Sequence, residues 1–226
     1  MIKAFFLDFY GTVVHEDGEI IKKITQKIYE TGKAENKSEI AAVYSVPVHY
    51  EIGTFWWDNF QNMFINSYGD HFETQRTLEK KSLENTLEKF CSTANADELS
   101  NYMFEYWTNP PIFEDSKTFF KSCPLPIYIV SNIDTTDILK AIEYHSLTPA
   151  GVFTSEDAKA YKPRKELFKL ALKSTGLKAD EVIHIGDLVS SDVKGAASVN
   201  MKALWLNRFR KAIPEDVESI VSLLDA

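Results

Sequence analysis

A chain of 226 residues, 44% apolar and 26% charged, can bury a substantial core and has the composition of an ordinary globular protein. Its net charge of −8 argues against a general nucleic-acid binder or a basic membrane-binding surface, while a small phosphorylated ligand could still be met by a few local cations. Two cysteines, Cys91 and Cys123, suggest neither a disulfide framework nor a metal-binding pattern. With no signal peptide and no apolar run of membrane-spanning length, a reducing cytoplasm is the expected setting.

The first predicted element is a strand. Lys3-Ala4-Phe5-Phe6-Leu7 is a short apolar run that delivers Asp8 into a loop containing Gly11 and Thr12. From about Glu16 to Thr108 breaker clusters are few and helical periodicity dominates. Trp56, Phe60 and Phe64 recur every four residues, on one helix face, and Leu78, Leu83, Leu87 and Phe90 mark another helix. Asn109-Pro110-Pro111 is a loop signal, after which strands and helices alternate. Strands are expected at 127–130, 152–154, 182–185 and 203–206. Helices are expected at 134–144, at 165–174 with Gly176 as C-cap, and from Asp192 to Ala197. This alternation predicts a three-layer α/β core with a parallel sheet that includes the first strand. The expected domains are a core of 1–14 and 109–226 and a helical insert of 15–108.

In a parallel sheet the carboxyl ends of all strands lie on one edge, where open α/β sheets bind ligands. Asp8, Ser131, Asn132, Lys162, Asp187 and Asp192 all fall at such ends or just beyond. Asp8 can act as a nucleophile. Three carboxylates in one place repel unless a cation joins them, and hard oxygen ligands suit Mg²⁺. Lys162 would offset charge, Ser131 and Asn132 would donate to a bound anion, and the Gly11 and Thr12 backbone would offer an anion nest.

Four segments, in order, resemble the motifs of the haloacid dehalogenase superfamily. They are Asp8-Phe9-Tyr10-Gly11-Thr12, Ser131-Asn132, Lys162-Pro163, and Gly186-Asp187-Leu188-Val189-Ser190-Ser191-Asp192. The resemblance implies a Rossmann-like core with a mobile helical cap between the first and second motifs. It makes Asp8 the nucleophile, Ser131 the holder of the transferred group and Lys162 its charge stabiliser. In the phosphatase branch it implies Mg²⁺ held by Asp8, Asp187 and the Tyr10 backbone carbonyl, with Asp192 supporting the metal directly or through water.

One position departs from that branch. Phosphatases of the family usually carry aspartate where this chain has Tyr10, and a phenol with a pKa of about 10 is poorly suited to protonate a leaving group and then activate water. Asp-x-Tyr-Gly-Thr is similar instead to the metal-free 2-haloacid dehalogenases, while Gly186-Asp187 and Asp192 are of the metal-binding type. The favoured expectation is a cytoplasmic Mg²⁺-dependent hydrolase that removes phosphate from a small metabolite. The alternatives are a metal-free dehalogenase and a binding or regulatory protein that has lost turnover. His15 reads first as a hinge or surface residue and second as a replacement acid. His184 reads as structural, and the aromatics of the insert read mainly as its core.

Overall fold

The computed structural model describes residues 1–33 and 48–226; the part of the helical reading that falls on 34–47 lies outside the described residues. Six strands form one parallel sheet: β1 (Ala4–Leu7), β2 (Ile127–Ser131), β3 (Gly151–Thr154), β4 (Val182–Gly186), β5 (Lys202–Leu206) and β6 (Ser219–Ile220), in the order β3-β2-β1-β4-β5-β6. Every residue of β1 is buried. That explains its unbroken apolar sequence, because a central parallel strand is covered on both faces.

The order has a direct consequence for function. From β1 the chain builds outward through β2 and β3, then returns to the other side of β1 to lay down β4, β5 and β6. The strand order therefore reverses between β1 and β4. In open α/β sheets the crevice at such a reversal, outside the carboxyl ends, is where ligands bind. Leu7 pairs with Ile129 on one side and Ile185 on the other, so the residues that follow these three emerge side by side.

The expected α/β class and parallel sheet are those observed, with modest differences at element ends. The helix after β2 is Thr135–Tyr144; after β3 a short helix, Ser155–Ala158, precedes Lys165–Thr175, which is closed by Gly176 in the left-handed conformation at φ 69°. Asp192 does not open an α-helix. It lies in a π-helical turn, Val189–Val193, that runs into Lys194–Ala197. The strand β6 and the helix Glu114–Ser122 have no counterpart in the sequence reading. Beneath the sheet, Phe6, Val130, Leu167, Phe168, Val182 and Met201 form an apolar cluster.

The described residues divide into two compact units. The first comprises Met1–Glu16, Tyr68–Phe72 and Asn109–Ala226; the second comprises Asp17–Ser67 and Glu73–Thr108. Among the described residues the second contains the helices α1 (Gly18–Thr31), α2 (Val48–Asn66), α3 (Gln75–Lys89) and α4 (Ala96–Thr108). Their core includes Ile24, Ile28, Ile52, Trp56, Phe60, Leu78, Leu83, Leu99, Met103 and Trp107. Tyr68–Phe72, inside the stretch that the sequence reading assigns to the insert, belongs with the first unit. Gly69 N–H donates to the Lys159 carbonyl at 2.8 Å, Phe72 packs on Tyr161, and the Arg164 guanidinium covers the Tyr68 ring at 3.7 Å. Among the described residues no helix is long and apolar enough to cross a membrane.

The loop after β1 is anchored from the far end of the chain. Arg208 donates to the Thr12 carbonyl at 2.7 Å and to Asp115 Oδ2 at 2.8 Å, and lies over the Phe113 ring. The same Asp115 oxygen accepts from Ser222 Oγ and the Leu223 N–H. Burial opposes the Asp115 charge, but these donors and the guanidinium hold its carboxyl below the usual range. A depressed carboxyl contributes stability that is present above the unfolded pKa and is lost as pH falls through the lower folded value. Asp115→Asn is therefore expected to destabilise the protein by ~1–3 kcal/mol at pH 7. Urea unfolding at pH 7 and pH 3 should show the gap from wild type closing in acid.

Candidate active site

Asp8 follows β1 directly, and its N–H donates to the Ile185 carbonyl of β4 at 2.9 Å. Its Oδ1 accepts from Ser131 Oγ at 2.9 Å and Lys162 Nζ at 2.8 Å, and the Phe9 N–H also donates to the carboxylate. Two donors on one oxygen fix the plane of the group. Lys162 is fully enclosed, at 2% exposure, and also donates to Asp192 Oδ1 at 2.6 Å and the Val130 carbonyl at 3.1 Å. Burial would lower the Lys162 pKa, but Asp192 and Asp8 more than offset it and keep the ammonium charged.

Asp187 is the third carboxylate. Together Asp8, Asp187 and Asp192 offer oxygens that all lie within 4.8 Å of one another. The backbone of Asp187 is held by Trp205 Nε1, which donates to its carbonyl at 2.8 Å. Its Oδ1 is buried without a hydrogen-bond partner. Burial first, then the charges of Asp8, Asp192 and Glu16, push its pKa up to about 9. Burial likewise raises Asp8, against the pull of Lys162. Asp192 goes the other way: despite its burial, Lys162 and His184 hold it well below the usual carboxylate range. Three carboxylates thus face one ammonium, and the orphaned oxygen of Asp187 is where the imbalance is concentrated.

The described residues fit a hard divalent cation. Asp8 and Asp187 supply oxygens close together, and a cation there would relieve the desolvation of Asp187. Asp192 is less free to serve. Its Oδ1 accepts from Lys162 and His184 Nε2, and its Oδ2 from the Leu188 N–H and Ser191 Oγ. The sequence reading has Asp192 support the metal directly or through water; its hydrogen bonds also make it the anchor of Lys162.

At two further positions the fold itself engages the polar groups. The backbone donors of Gly11 and Thr12, read from the sequence as an anion nest, turn back into the loop. The Gly11 N–H donates to the Val14 carbonyl at 2.8 Å and the Thr12 N–H to the Phe9 carbonyl at 3.3 Å, so the loop consumes its own donors. Gly11 has a different role: at φ 80°, a Cβ there would come within 2.5 Å of Asp187 Oδ2, so the glycine makes room for that carboxylate. Asn132 engages its amide with the Lys162 backbone. Its Oδ1 accepts from the Lys162 N–H at 2.7 Å and its Nδ2 donates to the Lys162 carbonyl at 3.1 Å, clamping the lysine backbone from both sides.

Two histidines also find their places. His15 stacks on Phe113 with ring centroids 3.7 Å apart. His184, read from the sequence as structural, is fully buried and bonds Asp192 at 3.0 Å, so it supports the Lys162 anchor. The available signal was its place inside an apolar strand pattern, now β4, where it pairs with Phe6.

Residues 2–200 match the family of haloacid dehalogenase-like hydrolases. Haloacid dehalogenase-like hydrolase domain-containing protein 3 of Danio rerio is 32% identical over 123 residues, 50% of this chain and 49% of that protein. The glyceraldehyde 3-phosphate phosphatase of Methanocaldococcus jannaschii is 46% identical over 67 residues, 30% of this chain and 29% of its own. The chain thus spans about half the length of the first relative and less of the second. Among solved structures, the L-2-haloacid dehalogenase of Xanthobacter autotrophicus superposes with a TM-score of 0.69 at 16% identity, covering 96% of this chain and 80% of that one. That identity carries the fold alone, but it is the same parallel α/β fold, and the family match runs from β1 through the fourth motif: the chain belongs to the haloacid dehalogenase-like hydrolases.

Proposed function

We propose that the protein is a Mg²⁺-dependent phosphatase that acts on a small phosphorylated metabolite through an aspartyl-phosphate on Asp8. One observation carries this reading: the buried, unpartnered oxygen of Asp187 beside Asp8, in a cluster where carboxylates outnumber ammonium groups. A metal-free enzyme attacking an anionic haloacid would have to bear that imbalance. The named activities of the archaeal relatives support the same choice, and glyceraldehyde 3-phosphate belongs on the panel of test substrates for that reason.

In this reading Asp8, Asp187 and the Tyr10 carbonyl hold the ion. When bound, Mg²⁺ supplies charge neutralisation at the phosphoryl oxygens. Ser131 and Lys162 fix Oδ1 of Asp8, and the attack on phosphorus falls to the other oxygen. The alcohol departs as the new P–O bond to Asp8 forms, and water later cleaves the acyl phosphate, returning the carboxylate. Lys162, its backbone clamped by Asn132 and its ammonium by Asp192, stays charged beside the transferring group throughout. Tyr10 is a weak proton donor at neutral pH, so the leaving alcohol takes its proton from water or from another group. Rates should therefore depend steeply on leaving-group acidity, with acyl, enol and phenyl phosphates ahead of simple alkyl phosphates. The two free thiols, Cys91 and Cys123, suit a reducing cytoplasm.

The alternative rests on Tyr10 itself and is a metal-free dehalogenase, in which Asp8 would form an ester to carbon and release halide. One experiment separates the two. Protein stripped with EDTA should release no phosphate from the panel, and added Mg²⁺ should restore release. Chloride liberated from 2-chloropropionate in EDTA, with no phosphate released under any condition, would overturn the proposal.

A further inference from the structure

The helical unit contains a cavity of about 540 Å³, within the range of small-molecule sites. Among the described residues its lining is aromatic and acidic. Trp56, Trp57 and Trp107 contribute rings, and Asp17 and Glu79 contribute carboxyls. Trp57 is 55% exposed and Tyr50, also in the lining, 65%, which puts both at the mouth; Glu79 is 5% exposed and lies deep. Large aromatics left in water around a cavity are unusual for a face that serves only packing.

Glu79 is the informative residue. Its Oε1 is buried without a hydrogen-bond partner and lines the cavity. A second acid, Asp17, is nearby, and its Oδ2 accepts from Trp107 Nε1 at 3.1 Å. Burial, and then the charge of Asp17, push the Glu79 pKa up to about 8; burial also raises Asp17. A buried acid in this state is a standing cost to the fold, since at pH 7 and above it either carries an unpaired charge or takes up a proton. Gln75 also lines the space, and Lys22, the cation among the described lining residues, is exposed to solvent. Hard metal ions want about six oxygen ligands, which a cavity walled by indoles does not offer. Aromatic rings beside a carboxylate are instead the chemistry that recognises an organic cation.

We propose that this cavity binds a small organic ammonium group, held by the Glu79 and Asp17 carboxylates and by the indole rings of Trp56, Trp57 and Trp107. The site lies wholly within the helical unit and does not depend on the phosphatase reading. A cation there would pair the unpartnered oxygen of Glu79 and offset the repulsion between the two acids.

The test uses the full chain without any phosphorylated substrate. Tryptophan fluorescence is titrated with n-butylammonium and tetramethylammonium chloride, with KCl at equal ionic strength and the neutral 3,3-dimethyl-1-butanol as controls. Saturable binding of at least one ammonium ion is expected, with at least a tenfold preference over the alcohol. Glu79→Gln should weaken it at least tenfold and raise the melting temperature, a pairing that simple damage would not produce. Trp57→Leu, at an exposed position that should fold normally, should weaken it as well. Asp8→Asn should leave it unchanged. Equal binding of the alcohol, absence of saturation by either cation, or full affinity in Glu79→Gln would overturn the proposal.

Discussion

Asp8→Asn is expected to lower phosphate release by about a thousandfold or more while the protein still folds. An amide oxygen is a poor nucleophile, and no other carboxylate is held by both Ser131 and Lys162 among the described residues. Folding should survive because the substitution removes one of three crowded carboxylates. Burial and the charge of Asp192 already work against ionised Asp8, so the neutral side chain relieves repulsion while keeping an oxygen for both donors. The measurement is phosphate release under saturating substrate and Mg²⁺, paired with a thermal melt. Turnover within a factor of ten of wild type would rule out the nucleophile assignment. Lost turnover with a collapsed melt would mean that Asp8 serves the fold first.

Lys162→Met should affect both activity and stability. The ammonium is the sole cation bonded to Asp8 and Asp192 among the described residues apart from the imidazole of His184. Removing one partner of a fully enclosed ion pair typically costs 3–5 kcal/mol, and a loss of about that size is expected in urea unfolding at pH 7. Much of that cost is the charge left behind on Asp192. Adding Asp192→Asn to Lys162→Met should therefore return part of the stability but none of the activity. A single variant as stable as wild type would mean that water reaches the cluster and screens it.

These assignments were open to the sequence to different depths. Asp8, Ser131 and Asp187 were legible because each sits where an apolar run stops, and a parallel sheet gathers such stops along one edge, whereas Lys162 stood out among many lysines by its place before Pro163. What each side chain touches is another matter. Gly11 and Thr12 look like an anion nest until the turn closes on Phe9 and Val14 and uses their N–H groups. Asn132 looks like a ligand to substrate until a residue 30 positions away brings its backbone against the amide. In both cases the competing partner is supplied by tertiary approach, which local pattern does not encode. Glu79 is the strongest instance. It stands in Gln75–Lys89, a helix dense in charge, where another glutamate reads as one more solvated residue. Its burial follows from packing between helices far apart in sequence. The short β6 was missed because two residues carry no periodicity.

The placement of Tyr68–Phe72 bears on how this protein can be recombined. The backbone passes between the two units four times, after Glu16, Ser67, Phe72 and Thr108, rather than twice as for a simple insertion. A chimera that exchanges everything from 17 to 108 would also discard a strip of the host. Arg164 would lose the ring it covers, Tyr161 its neighbour Phe72, and Lys159 the N–H that its carbonyl accepts, all beside Lys162. Grafts of foreign helical modules onto this scaffold should therefore be spliced at four junctions, with the five-residue strip retained from the recipient.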